Sequence, residues 1–159
     1  MPQFQVSEQV FLRTLTIADA PILFCLVDNN RNFLRQWLPW LDDNSCVENS
    51  VTFIQLTQEQ LAQNRGFQCG IFYQKHLVGM CGYHPIDRSN HSVTIGYWIA
   101  QNMMGQGIVT LCTKYLIDYA FTHLSINKVC IPAAENNLKS RAISERLGLV
   151  SEGIERAAE

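Results

Sequence analysis

Two glycines spaced two apart, Gly105 and Gly107, lie where a β-prone run gives way to an apolar pattern of helical period, in the stretch Met104-Gly105-Gln106-Gly107-Ile108. Glycine lets the backbone turn tightly there and aims successive N–H groups outward, at the positive end of a helix that opens with Ile108 and Val109. Such an arrangement attracts phosphate. The spacing is not G-x-G-x-x-G, because position 110 is Thr, and no GK[ST] follows, so neither a dinucleotide fold nor a P-loop is implied. A different phosphorylated ligand fits, and so, for the two glycines taken alone, does a plain tight turn.

Other residues capable of chemistry are scattered. Asn137 and Ser140 precede and open a second predicted helix and suit either a ligand contact or a cap. Trp37 and Trp40 are spaced to line a cleft or to fill a core. Glu159 is the last residue, where a carboxylate is either held for chemistry or simply solvated. His84 and His91 pair with no nucleophile along the chain and read as solvated or core histidines. The cysteines Cys25, Cys46, Cys69, Cys81, Cys112 and Cys130 form no C-x-x-C pair and have no His at finger spacing, so free buried thiols are the expectation and a metal is not.

The elements needed to position these groups follow from periodicity. Residues 10–15 (VFLRTL) alternate as a strand, and residues 18–27 carry apolar side chains at helical spacing. Pro39 ends a short helix over 32–41 and leaves the two tryptophans at its corner. Asn49 or Ser50 can cap a helix through VTFIQLTQEQLAQN, which Gly66 closes. Runs 67–74, 76–83 and 92–100 form an antiparallel meander with turns at Gln74-Lys75-His76 and Asp87-Arg88-Ser89-Asn90. A helix over 108–124, a strand over 128–133 and a helix over 139–147 complete the pattern, with a further strand starting at Leu149. The order is β-α-α-α-β-β-β-α-β-α, an α+β layout of three layers with helices on both faces of a sheet, in one domain spanning 1–159.

Composition narrows the classes further. The chain has 159 residues, 47% hydrophobic and 16% charged, with net charge -2. That supports a folded core and gives no footprint for nucleic acid or an anionic membrane surface. No basic, apolar leader opens the sequence and no apolar run reaches the roughly 20 residues of a membrane span, so a cytoplasmic location is predicted.

The segments IGYWIAQNMMGQGI, Asn137-Leu138-Lys139-Ser140 and RLGLVSEG, with RQWLPW and Leu12-Arg13 upstream, resemble the GCN5-related N-acetyltransferase superfamily, and within it the RimJ/RimL branch that acetylates protein N-termini, including those of ribosomal proteins. The family turn Q/R-x-x-G-x-G/A reads Asn102-Met103-Met104-Gly105-Gln106-Gly107 here, with Asn102 departing from Gln or Arg. The resemblance implies a mostly antiparallel mixed sheet and acetyl-coenzyme A as cosubstrate. Its pyrophosphate would lie on the turn at Met104, Gly105, Gln106, Gly107, Ile108 and Val109. Its pantetheine would run along a bulged strand at Trp98 and Ile99, where a backbone N–H within residues 97–100 polarises the thioester, and would bond Asn137.

By the same resemblance Ser140 protonates the departing thiolate, Glu159 is the base toward the acceptor amine, and Trp37 and Trp40 wall the acceptor cleft. The acceptor would be a primary amine, foremost a ribosomal protein N-terminus, with a polyamine, amino acid or antibiotic as alternatives. A non-catalytic acetyl-CoA-binding regulator is the competing class. Family members run about 20 residues further, the length of a final strand or two. The last strand is therefore expected to be missing by natural truncation, to lie in a tail beyond this sequence, or to be supplied by a neighbouring copy in a homodimer.

Overall fold

The computed structural model describes residues 3–132 together with Ala142, Ile143 and Leu147, apart from the side chains of Pro39 and Trp40. Six strands form one sheet in the order β1 to β6: β1 Gln3–Gln5, β2 Val10–Arg13, β3 Gln68–Tyr73, β4 His76–Tyr83, β5 Ser92–Ile99 and β6 Lys128–Cys130. Neighbours are antiparallel from β1 through β5, and β6 lies parallel to β5. A parallel pair needs a long crossover. Helix α4, Ile108–His123, supplies it.

Two apolar clusters hold the layers together, one on each face of the sheet. Helix α4 packs on β4 and β5, and its buried Ile108, Val109, Cys112, Leu116 and Ala120 join Ile71, Cys81, Tyr83, Val93 and Ile95. On the opposite face α1, Ala20–Asn29, packs against α3, Val47–Ala62, and on β4. There Leu15, Leu23, Val27, Leu34, Leu41, Ile54 and Met80 make the second cluster, with Trp98 against its margin. The three-layer α+β expectation holds.

Several element ends differ from the periodicity. Strand β1 has no apolar run of its own, and its ordering comes from Phe4, whose ring meets Phe67, Tyr115 and Tyr119 at 5.4, 5.3 and 5.2 Å. Helix α1 is preceded by a 3-10 turn, Ile17–Asp19. Helix α3 begins three or four residues early: Cys46 is its N-cap, and Asn49 reaches back from inside the first turn to accept from the Ser45 and Cys46 N–H groups at 3.0 and 3.2 Å. It ends at Ala62, and Gly66 follows at φ +96°. The short helix before Pro39 is α2, Arg31–Leu34, followed by a 3-10 helix Pro39–Asp43. Strand β6 stops before Pro132, which has no N–H to extend a ladder. Most of the helix over 139–147 and the strand from Leu149 lie outside the described residues.

Candidate active site

The end of β5 passes through a 3-10 turn, Gln101–Met103, into the glycine pair and then α4. Gly105 has φ +81° and Gly107 φ +75°, conformations that favour glycine, and a Cβ built on either would meet nothing within 4 Å. The backbone is therefore open to an approaching group as well as tightly turned. Gly107 is the N-cap of α4 and offers no side chain to the first turn. The first helical hydrogen bond runs from the Leu111 N–H to the Gly107 carbonyl at 3.0 Å, which leaves the Ile108, Val109 and Thr110 N–H groups aimed out of the helix end. Donors and helix dipole coincide there, a donor set that suits a diphosphate.

The side chains around these donors divide by role. Gly105, Gln106 and Gly107 are exposed and Met104 is half-buried, whereas Ile108 and Val109 are buried in the α4-side cluster. Only the backbone of the last two can face a ligand. Asn102 is exposed within the 3-10 turn. The turn is tied to the other face of the molecule by Asn30, the residue that ends α1. Its Oδ1 accepts from the Gln101 N–H at 2.9 Å, and its Nδ2 donates to the Leu26 carbonyl at 2.9 Å.

Strand β5 explains where a thioester chain would go. It is paired with β4 over Ile95 to Ile99 but with β6 only over Ser92, Val93 and Thr94, so β5 and β6 part company halfway along. The Ala100 N–H donates to the Val78 carbonyl and the Thr94 carbonyl accepts from His84, which fixes the alternation: residues 94, 96, 98 and 100 turn their backbone groups to β4. Within residues 97–100 only Tyr97 and Ile99 turn theirs toward the side where β6 has ended. Trp98 and Ala100 therefore turn their backbone groups to β4. The expected bulge is absent from the described β4–β5 ladder, whose register is unbroken from Gly79↔Ile99 to Tyr83↔Ile95. The irregularity falls instead between β3 and β4, at Ile71/Phe72.

On the α1 side of the sheet stands the segment carrying the two tryptophans. Trp37 is half-buried, in the turn after α2, and Trp40 lies in the 3-10 helix Pro39–Asp43. The Arg31 guanidinium fixes the segment by donating to the Leu41 and Asn44 carbonyls at 3.0 and 2.8 Å, and it pairs with Asp28 at 3.2 Å. Nothing in residue spacing singled out Arg31 or Asn30, since both act on backbone carbonyls or amides far along the chain. Asn137, Ser140 and Glu159 lie outside the described residues.

The cysteines do not behave as one set. Cys69, Cys81 and Cys112 are buried, Cys46 and Cys130 are half-buried and Cys25 is exposed; all are free thiols. Burial pushes the Cys69 thiol up to about 12, and a hydrogen bond with Cys112, with burial, raises Cys81 further from ionisation. A thiol so disfavoured as thiolate is no nucleophile. Among the described residues no His, Cys, Asp and Glu group has the arrangement of a metal site, and no helix is long and apolar enough to cross a membrane.

Residues 9–150 match the acetyltransferase (GNAT) domain. The chain is 38% identical over 150 residues, 94% of its own length and 82% of the other's, to YdaF of Bacillus subtilis (strain 168), named provisionally as a ribosomal N-acetyltransferase. It is 26% identical over 157 residues, 98% and 87% of the two chains, to the ribosomal-protein-serine acetyltransferase of Escherichia coli (strain K12). Its structure is similar to that of RimL, an L7/L12 α-N-protein acetyltransferase in complex with coenzyme A, at TM-score 0.94 and 25% identity over 99% of this chain and 89% of that one. It is also similar to the microcin C7 self-immunity acetyltransferase MccE in complex with acetyl-CoA and AMP, at TM-score 0.90 and 26% identity over 97% and 86% of the chains. This chain belongs to the GNAT acetyltransferase family, and it is an acetyl-CoA-dependent N-acetyltransferase.

Proposed function

We propose that the acceptor is the α-amine of a protein N-terminus, foremost that of a ribosomal protein, acetylated in the cytoplasm by direct transfer within a ternary complex. The observation that carries this reading is the parting of β5 from β6 above Thr94, which leads straight into the open glycine turn at the head of α4. A pyrophosphate would rest on the backbone from Gly105 to Val109, and pantetheine would follow the β6 side of β5 past Tyr97 and Ile99. The names of the two relatives support a ribosomal acceptor over a small amine, and that of RimL supports its α-amine.

In this reading Asn137 bonds the pantetheine, Glu159 accepts a proton of the attacking amine directly or through water, and Ser140 protonates the coenzyme A thiolate. Trp37 and Trp40 wall the acceptor side. The neutral amine adds to the thioester carbon, a backbone N–H of β5 stabilises the oxyanion, and the C–S bond breaks as the amide forms.

Thermal unfolding with and without acetyl-CoA tests the cofactor half. At about 100 times its dissociation constant the ligand adds about 2.7 kcal/mol, or about 5–10 °C for a chain of this size. Thiol release against N-terminal peptides beginning with Ser or Ala, with spermidine and free amino acids alongside, tests the acceptor. Peptide turnover supports the proposal. Turnover of the small amines alone replaces the acceptor, and a thermal shift with no turnover on any of them favours a binding protein.

A further inference from the structure

We propose that His84 is a second proton acceptor at this site, the one that neutralises the arriving ammonium; this rests on the acetyl-transfer reading above. His84 follows the last residue of β4, and its N–H donates to the Thr94 carbonyl of β5 at 2.8 Å, so the ring stands at a fixed register beside β5. Diagonally across from it lies Gly96. A Cβ built on Gly96 would meet His84 Nε2 at 2.9 Å, with Cδ2 and Cε1 at 3.7 Å, and no other heavy atom ranks among its three nearest. The imidazole occupies the space that a side chain at position 96 would take.

That placement puts Nε2 over the strand whose far edge is the parted one. Gly96 precedes Tyr97, one of the two residues that turn their backbone toward the β6 side. By strand alternation Gly96 shares its sheet face with Trp98, which packs at the margin of the α1-side cluster. His84 is exposed, so a proton taken at Nε2 has a route to bulk water. If the thioester follows β5 as proposed above, the ring stands between it and solvent, where an acceptor nitrogen would meet it directly or through one water.

The chemistry requires two departures. An ammonium, RNH3+, must lose one proton before its nitrogen can attack and a second when the adduct collapses. His84 takes the first from RNH3+ and passes it to water. The freed amine forms the C–N bond, and the C–S bond breaks. The second proton leaves the adduct nitrogen through Glu159, the thiolate gains one from Ser140, and the proton on Glu159 returns to Ser140 through water. The net change is RNH3+ plus acetyl-CoA to RNH–acetyl, coenzyme A thiol and one proton in solution, which balances with no further reactant.

The test compares parent, His84→Gln, His84→Ala and Gly96→Ala in turnover of the best N-terminal peptide and in acetyl-CoA affinity by thermal shift. The expected result is a fall in kcat of roughly 10- to 100-fold in both His84 variants, with acetyl-CoA affinity kept. Added imidazole should restore part of the rate to His84→Ala. Gly96→Ala, whose methyl displaces only the end of a flexible ring, should share the loss with the imidazole still present. Turnover at the parent rate in His84→Gln overturns the proposal, as does a loss confined to acetyl-CoA affinity or the absence of imidazole rescue. A parent that turns over no acceptor at all overturns the acetyl-transfer reading, and this one with it.

Discussion

At the scale of single residues, burial separates what a backbone can offer a ligand from what its side chain can. Ile108 and Val109 were expected at the cofactor, yet their side chains are in the α4-side core, so only their N–H groups remain for a ligand. Val109→Ala should therefore cost about 2 kcal/mol of stability while leaving acetyl-CoA affinity within about twofold, read by denaturant unfolding and by titration. A large affinity loss at unchanged stability would contradict the backbone assignment. A second case is Asp19, held by Arg13 through two hydrogen bonds of 2.8 and 2.9 Å and by the Thr16 N–H at 2.8 Å. The hydrogen bond from Arg13, acting against burial, lowers the carboxyl from its ordinary range. Its folded value lies below its unfolded one, so its contribution is present above the unfolded carboxyl range and is lost as pH falls through the folded value. Melting temperatures between pH 7 and about pH 3 should decline less steeply for Asp19→Asn than for the parent. At neutral pH the variant should be less stable by about 1–2 kcal/mol. Equal slopes would show that the pair carries no part of the acid response.

Elements were legible where period and punctuation agreed. The meander and α4 follow alternation and helical spacing bounded by Gly and polar turns, and the glycine turn falls where the types predict. Strand β1 was not legible, because a Gln-Phe-Gln stretch has no pattern; it exists through the packing of Phe4 on three aromatic rings from β3's approach and from α4. The start of α3 was missed for a related reason. Asn49 suits a cap by type, but it serves from the third helical position, and Cys46, a weak cap by type, holds the boundary. The glycine turn itself allows a sharp test. Gly107→Ala places a side chain at φ +75°, which costs about 1–2 kcal/mol of strain although no atom blocks the methyl. Melting should drop by about 2–8 °C. If relaxation of the strain rotates the leading N–H groups of α4, acetyl-CoA should bind roughly tenfold more weakly, equivalent to 1.4 kcal/mol. Unchanged affinity in a destabilised variant would separate the turn from the cofactor.

At the scale of the whole molecule, the fold class could be read from element order and β6 was expected over 128–133, but its pairing could not be read. The parallel placement of β6, and its end at Cys130, decide where the cleft opens, and both depend on how the α4 crossover docks on the sheet. The segment proposed as the acceptor wall and the glycine turn come from distant parts of the sequence, Gln101 being 71 residues from Asn30. Yet a single carboxamide joins them, one end on the last turn of α1 and the other on the turn ahead of the glycines. If a ligand that settles the turn shifts Asn30, the helix leading to Arg31 and Trp37 shifts with it, and the free energy of that coupling appears equally in both binding equilibria. Acetyl-CoA affinity should shift when a peptide acceptor is bound, and the shift should shrink toward zero in Asn30→Ala, as a two-ligand titration would show. A coupling that vanishes in Asn30→Ala would make this one carboxamide the link through which occupancy of one half-site reaches the other; a coupling unchanged in Asn30→Ala would remove it from that role.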